Sequence, residues 1–178
     1  MIEKFEIQFV IFIFNKEIFY IYRINHVESH MKKSKEIKIE IEAFIQATED
    51  TEKAMHAIKN LVPPELQEID FTIEKLRGVY HNPITVVRAH FTENAQQILE
   101  YVAQRLEESD KEYLFQSISK RVNEKGHFFL RFGKQELFGE KMKIKELKDT
   151  IKMKISLSRK CSIQDIKIIL QEMDLIKA

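Results

Sequence analysis

One stretch of the chain, residues 121–139, gathers the side chains best suited to binding a charged ligand; it reads RVNEKGHFFLRFGKQELFG. Its strand-like centre, HFFLRF, alternates so that His127, Phe129 and Arg131 share one face, while the opposite face is wholly apolar and should meet a core. A predicted turn over residues 133–135 places a lysine and an amide beside the polar face. A cation, an aromatic ring and an amide together suit phosphates and unstacked bases. The alternative is an amphipathic strand whose outer face only meets solvent.

Charge is distributed unevenly along the chain, although the formal net charge is only +1. Residues 111–160 contain fourteen Lys and Arg against six Asp and Glu, whereas residues 31–110 contain ten against fifteen. A basic half of this kind can follow an anionic partner even though the whole protein is nearly neutral. An inert surface with segregated charge would give the same counts.

The sequence lacks the motifs of several kinds of catalytic or cofactor site. The four glycines stand apart from one another, which excludes a P-loop or a dinucleotide fingerprint. The six histidines show no metal-binding helical spacing, and the single cysteine, Cys161, cannot supply a multi-cysteine zinc site or an internal disulfide. We therefore expect no metal, no cofactor and a reducing, cytoplasmic setting. An enzyme built from scattered carboxylates stays open at this point.

Residues 1–30 have an unusual amino-acid composition, with no Gly, Pro, Ala or Leu and many Ile, Phe, Tyr, Asn and Lys. The apolar run 7–14 is too short to span a bilayer and lacks a small-residue cleavage site, so we expect neither a membrane segment nor a secretory signal. The segment is either a disordered or β-rich extension or an upstream stretch translated from a wrongly assigned start. We favour the second interpretation, because Met31 precedes a well-patterned strand.

The elements that must position the focal stretch form a single predicted domain, residues 31–178. The predicted strands are residues 36–44, 66–76, 84–91, 127–132 and 149–157, and the predicted helices are residues 48–61, 93–107, 109–121 and one that begins at a capping box over 162–165. The order is β-α-β-β-α-α-β-β-α. Strands with one wet face and helices on the other give an α+β fold, a two-layer sandwich with a mostly antiparallel or mixed sheet.

Two segments in this order resemble a known family. YHNPI at residues 80–84 and RFGKQ at residues 131–135 are similar to the motifs His-Gly-Asn-Pro-Ile and Arg-Leu-Asp-Lys-Gln of archaeal RNA-binding proteins described as predicted exosome subunits. The first match lacks the family's glycine, and Phe132 and Gly133 replace the Leu-Asp of the second. The resemblance covers nearly all of residues 35–177. It implies a fold like that of the large-subunit ribosomal protein that holds 5S RNA, and it implies RNA binding.

The residues expected to contact RNA follow from these two motifs and the basic half. Phosphate contacts are assigned to Arg131 and Lys134, with a wider basic footprint from Arg121, Lys152 and Lys154. Hydrogen bonds to sugar or base edges are assigned to Asn82 and Gln135, and stacking on bases to Tyr80, His81 or Phe129. We expect the two motifs to be neighbours in the fold.

The function expected from this set is a non-catalytic RNA-binding protein, accessory to archaeal RNA processing or exosome-mediated decay, with exosome or ribosome-associated proteins as partners. One alternative is a protein-interaction module that docks on a larger assembly through its sheet or its final helix. The other is a small metal-assisted nuclease, for which the only nearby carboxylates are Glu124, Glu136 and Glu140.

Overall fold

The computed structural model of the protein describes residues 37–146, 149–157 and 162–178, so the interpretation of residues 1–30 and the position of Cys161 lie outside it. Five strands form one sheet: β1 (Lys38–Gln46), β2 (Thr72–Arg77), β3 (Pro83–Phe91), β4 (Phe128–Gly133) and β5 (Thr150–Ser156). Their spatial order is β2-β3-β1-β5-β4, and every neighbouring pair is antiparallel. Of the two sheet types predicted, the antiparallel one is therefore confirmed.

Five helices accompany the sheet: α1 (Thr51–Lys59), α2 (Ala95–Arg105), α3 (Glu108–Arg121), α4 (Lys134–Phe138) and α5 (Ile163–Glu172). Two of them begin at side-chain caps, in which short polar side chains satisfy the free amides of a first turn. Asp50 accepts from the amide of Glu52 at the start of α1, and Ser162 and Asp165 form the predicted capping box of α5. None of the helices in the described ranges is long and apolar enough to cross a bilayer.

The apolar faces of the strands and helices meet in one core. Ile39 and Ile41 of β1, Met153 of β5 and Leu130 of β4 are fully buried on one side of the sheet and belong to the same cluster as the helices. The other side of these strands carries the polar members of each alternation, which are half-buried or exposed except for the buried Glu42. The predicted α+β architecture, with one wet face on the sheet, is confirmed, and we call that wet side the outer face.

Two elements differ from the sequence predictions. The expected turn at residues 133–135 continues as helix α4, because Leu137 enters the core one turn later and is fully buried. Strand β2 begins at Thr72, six residues later than expected, since the chain before it runs from a 3-10 turn at Pro64–Leu66 without sheet pairing. All six residues of β2 are exposed, because it is the edge strand.

The two edges of the sheet are finished differently. Beyond β4, residues 143–145 pair with the strand: the amide of Lys145 donates to the carbonyl of Arg131 at 2.9 Å, and the amide of Gly133 donates to the carbonyl of Lys143 at 3.2 Å. An isolated bridge joins Phe132 to Ile144 at the same place. Within the described residues, no strand covers β2 in this way. The focal strand is therefore paired on both sides, whereas the outer edge of β2 pairs with no strand in the described ranges.

Candidate nucleic-acid interface

Four of the predicted contact residues come together on the outer face of β4 and β5. Phe129 lies opposite Lys154 and Arg131 lies opposite Lys152 in the antiparallel register. Residues directly opposite in such a pair share a face, with Cβ atoms roughly 5 Å apart. All four side chains are half-buried. We call these four residues the basic patch.

The aromatic ring of the basic patch is flanked by its cations. The Nζ atom of Lys152 lies 5.2 Å from the centre of the Phe129 ring, within the range of a cation–π contact. Lys154 stands opposite Phe129 across the ladder. A base stacked on this ring would therefore have positive charge on either side for its phosphates.

Acidic residues of β1 neutralise much of the positive charge on the outer face. Lys152 lies 3.6 Å from Glu42, and Lys154 lies 3.2 Å from Glu40. Glu42 also accepts from Nε of Arg88 on β3 at 2.8 Å. Arg131 differs, because it makes no ion pair with any residue in the described ranges. It is therefore the cation of the patch with the most freedom to bind an external phosphate.

His127 immediately precedes β4 and lies two residues before Phe129 in the chain. Its Nδ1 atom is buried and has no hydrogen-bond partner among the described residues. Burial lowers the pKa of His127, and the charges of Lys154 and Lys125 lower it further. The imidazole is thus neutral near pH 7, so it adds no positive charge to the basic patch at that pH.

Gly133 ends the same row of the outer face, and a carboxylate from the next helix fills the space above it. A Cβ atom at Gly133 would lie 2.0 Å from Oε2 of Glu136. Glu136 is ion-paired with Lys145, whose hydrogen bond is the main cause that lowers the pKa of the Glu136 carboxyl. The carboxylate absent from position 133 is thus supplied three residues later, although it faces Lys145.

Lys134 is placed in a tight set of acceptors. Its ammonium donates to the carbonyl of Phe44 at 2.6 Å and to Glu49 at 3.0 Å, and it lies 3.0 Å from Asp149. Only 12% of the side chain is exposed. The two carboxylates already neutralise this cation, so a phosphate would have to displace them.

Arg121 lies in the interior, at the end of α3. Its side chain is 3% exposed and is ion-paired with Glu146. It also donates to Ser117 at 2.8 Å and to the carbonyl of Phe129 at 3.4 Å. The guanidinium therefore ties α3 to the back of β4 instead of widening the basic patch.

The YHNPI segment forms the tip of the β2–β3 hairpin. Tyr80 is 91% exposed, and His81 adopts the left-handed conformation with a φ of 59°. That conformation favours glycine, so His81, directly before Asn82, occupies the place of the family's glycine. The side chain of Asn82 packs against Gly78, where a Cβ atom would lie 2.3 Å from its oxygen.

The expectation that the two motifs are neighbours is wrong. Strands β1 and β5 lie between β3 and β4 in the sheet order, and strands are spaced by about 4.8 Å, which gives roughly 14 Å between the two motif strands. The hairpin and the basic patch are therefore two separate regions. Nothing in the local alternation of either strand fixes which strands lie side by side, so the sequence carried no signal for this distance.

Gln135 is exposed on α4 and faces a cleft between α4 and α1. The opposite wall carries Lys53 and Asp50, and Phe138 stands at one end, 47% exposed. Sequence reasoning missed these residues, because it assigned no element to residues 136–139 and so did not predict a helix facing α1. Among the described residues, no group of three or more His, Cys, Asp or Glu side chains is arranged to hold a metal ion.

Comparisons with known proteins give a consistent result. A family model described as RNA binding matches residues 38–157. An RNA-binding protein from Pyrococcus abyssi is 34% identical over 123 residues, which covers 67% of this chain and 80% of that protein.

Solved structures show the same fold. A DUF54 protein from Methanothermobacter thermautotrophicus superimposes with a TM-score of 0.63 at 22% identity, over 78% of this chain and 98% of that one. A DUF54 protein from Sulfolobus solfataricus gives a TM-score of 0.60 at 25% identity, over 75% of this chain and 97% of that one.

Proposed function

Because the chain belongs to the RNA-binding family whose model matches residues 38–157, we propose that it binds RNA through the basic patch on the outer face of β4 and β5. The observation that carries this proposal is the state of Arg131. It is held on a rigid strand beside an aromatic ring, and it has no carboxylate partner in the described ranges. Rigid strands hold a contact side chain more accurately than loops do.

The patch suits an unpaired RNA strand better than a duplex. Sequence-tolerant binding of single strands uses aromatic rings as stacking platforms and flanking cations as phosphate contacts. Phe129 supplies the ring, and Arg131 and Lys152 supply the cations. Double-stranded RNA offers shape and phosphates but few exposed base faces, so it would leave the ring unused.

The carboxylates of β1 direct the strand along one edge of the sheet. Glu40 and Glu42 line the middle of the outer face and would repel phosphates. The path of lowest repulsion follows β4, next to Arg131. The same carboxylates compete with phosphates for Lys152 and Lys154, so the affinity should be modest and should fall with salt by an amount set by these few phosphate contacts.

The other residues implied by the motifs take different places in this proposal. Gln135 and Lys134 continue from the end of β4, with Lys134 acting mainly to hold the site in shape. Tyr80, His81 and Asn82 at the hairpin tip form a second contact region that only a longer RNA can reach. Arg121 positions the strand from behind by bonding the carbonyl of Phe129.

We further propose that the role is non-catalytic and belongs to archaeal RNA processing or exosome-mediated decay in the cytoplasm. The support is the resemblance of the two motifs to proteins described as predicted exosome subunits, and the implied likeness to the ribosomal protein that holds 5S RNA. Exosome or ribosome-associated partners are part of the same proposal. Copurification from an archaeal host that is lost after nuclease treatment would support a link through RNA.

A second candidate is a docking protein that adds a partner's extended segment to its sheet. The exposed edge strand β2 favours it, because a free edge presents unpaired backbone amides and carbonyls. Val79 at the hairpin tip is also 91% exposed. Copurification that survives both nuclease treatment and high salt would favour this candidate over RNA binding.

The decisive experiment is a titration of a short single-stranded RNA against Arg131→Ala and the matched control Arg77→Ala. Arg77 is exposed on β2, away from the patch. Loss of one phosphate contact should weaken binding roughly fivefold to tenfold and reduce the slope of log affinity against log salt by about 0.7. Equal effects of the two substitutions would contradict the proposal.

A further inference from the structure

A cleft of about 410 Å³ lies between α1 and α4, beyond the end of β4. Small side chains create it, because Ala54 and Ala57 form the wall on α1, where larger residues would fill the space. Phe138 and Gln135 face them from α4. The volume falls within the usual range for small-ligand sites, which is roughly 300–1,000 Å³.

The cleft combines a flat apolar surface with hydrogen-bonding groups. The Phe138 ring is held edge-on by His56, with 5.5 Å between ring centres, and it remains 47% exposed. The Nζ atom of Lys53 lies 5.9 Å from the centre of the same ring, on a flexible and exposed side chain. Gln135 adds an amide that can both donate and accept.

The carboxylates at the mouth of the cleft are not equivalent. Glu49 and Asp149 share the ammonium of Lys134, which offsets one of their two negative charges. Asp50 uses Oδ1 to cap the amide of Glu52 at 2.9 Å, and its other oxygen makes no hydrogen bond to a described residue. One carboxylate oxygen in the lining of the cleft is thus available to accept from a donor on a ligand.

These groups match a nucleobase with an exocyclic amino group. Unpaired bases are recognised by stacking on aromatic rings and by hydrogen bonds to their edges, and carboxylates accept from amino groups such as that of cytosine. The acidic mouth would repel a phosphate, so a base enters while its phosphate stays outside. Gln135 follows Arg131 by four residues, at most about 14 Å along the chain, so one RNA strand can reach both places.

We propose that this cleft receives one unpaired base of the RNA strand bound by the basic patch, and that it selects bases that carry an exocyclic amino group. Asp50 accepts from the amino group, Gln135 bonds the adjoining edge and Phe138 stacks on the ring. The inference rests on the proposed function, since the strand must first be held at Arg131. It adds a base preference to a patch that by itself binds phosphates and any base.

The test compares short oligocytidine and oligouridine of equal length, titrated against the full chain at one salt concentration. Cytosine carries an amino group where uracil carries a carbonyl oxygen. Oligocytidine should bind roughly fivefold to tenfold more tightly, and Asp50→Asn should remove that preference. Asparagine caps helices as well as aspartate does, so this variant keeps α1 intact. The matched control, Asp70→Asn, alters an exposed acid away from the cleft and should keep the preference.

Phe138→Ala provides a second variant, which should weaken oligocytidine binding more than oligouridine binding. Equal affinity of the wild-type protein for both oligomers would overturn the inference, as would a preference that persists in Asp50→Asn. The proposed function fails separately, if Arg131→Ala leaves the binding of both oligomers unchanged. A cytidine preference that survives Phe138→Ala and is lost in Arg131→Ala would place base selection at the patch and overturn the cleft.

Discussion

Arg131 and Lys134 stand three residues apart in one motif, yet the structure treats their charges in opposite ways. Arg131 projects from the outer face of β4 without a carboxylate partner in the described ranges, whereas Lys134 is bound by two carboxylates and a backbone carbonyl. Arg121, ten residues earlier, is buried completely. The comparison shows that a basic stretch contains both cations that hold the fold together and cations that can meet a ligand. Substitutions should separate these two kinds.

The largest effect on stability is expected at Arg121, the most deeply buried of the three cations. Arg121→Met removes the guanidinium that joins α3 to β4, and should lower the free energy of unfolding by about 2–3 kcal/mol through lost hydrogen bonds and packing. Urea denaturation followed by circular dichroism would measure it. The neighbouring Lys120→Met alters an exposed lysine and should change stability little. A loss below about 0.5 kcal/mol would mean that Arg121 is not a structural residue.

A smaller loss of stability is expected at Lys134. Lys134→Met leaves Glu49 and Asp149 without their cation and should lower the free energy of unfolding by about 1–2 kcal/mol. The double substitution with Glu49→Gln should lose less than the sum of the two single ones, because the two groups interact. RNA affinity of the folded variant should change less than in Arg131→Ala. A greater loss of affinity at Lys134 would reverse the comparison.

Substitution of Glu40 is expected to strengthen RNA binding. Glu40→Gln releases Lys154 from its ion pair and removes one negative charge from the outer face. RNA affinity at low salt should rise roughly twofold to threefold, and the gain should vanish at high salt because exposed charges are screened. Glu100→Gln, an exposed position on α2, is the control. Weaker binding in Glu40→Gln would indicate that the carboxylate orders the patch.

The smallest effect is a pH dependence carried by His127. Its pKa in the folded protein is lowered, chiefly by burial, while the unfolded chain should have a pKa of about 6.5. Between the pKa of the folded protein and about pH 6.5, the unfolded state therefore binds more protons than the folded state does. The stability that His127 contributes is present above about pH 6.5 and is lost as the pH falls through the folded pKa. His127→Gln should flatten the stability profile between these values. Identical profiles for the two proteins would contradict this assignment.

The sequence predicted more of the fold than of the candidate site. The alternation of isoleucines in β1 and of apolar residues in β4 and β5 gave the strands and the buried side of the sheet, because side-chain direction in a strand depends only on sequence parity. Strand order depends on contacts between distant segments, so the separation of the hairpin tip from the basic patch could not be read from either motif. The helix α4 was missed because its five residues are too few for a periodic pattern.

For the candidate site, the sequence could identify residue types but not their partners. Phe129, Arg131, Lys152 and Lys154 were expected to contribute to one basic surface, and the register places them together. The carboxylates that accompany Lys152 and Lys154 come from β1, more than one hundred residues earlier in the chain. Lys134 likewise binds Phe44 of β1 and Glu49 just after β1, which lie 90 and 85 residues before it. Whether a lysine is free or bound is decided by such distant neighbours.

The carboxylate above Gly133 determines what a substitution at this position would disturb. The Glu136 carboxylate occupies the space that a Cβ atom at position 133 would need, so a side chain there would have to turn this flexible carboxylate away from its present place. Because Glu136 is ion-paired with Lys145, such a movement would also disturb that pair. A substitution at Gly133 is therefore expected to act at a distance, on the lysine that pairs with Glu136.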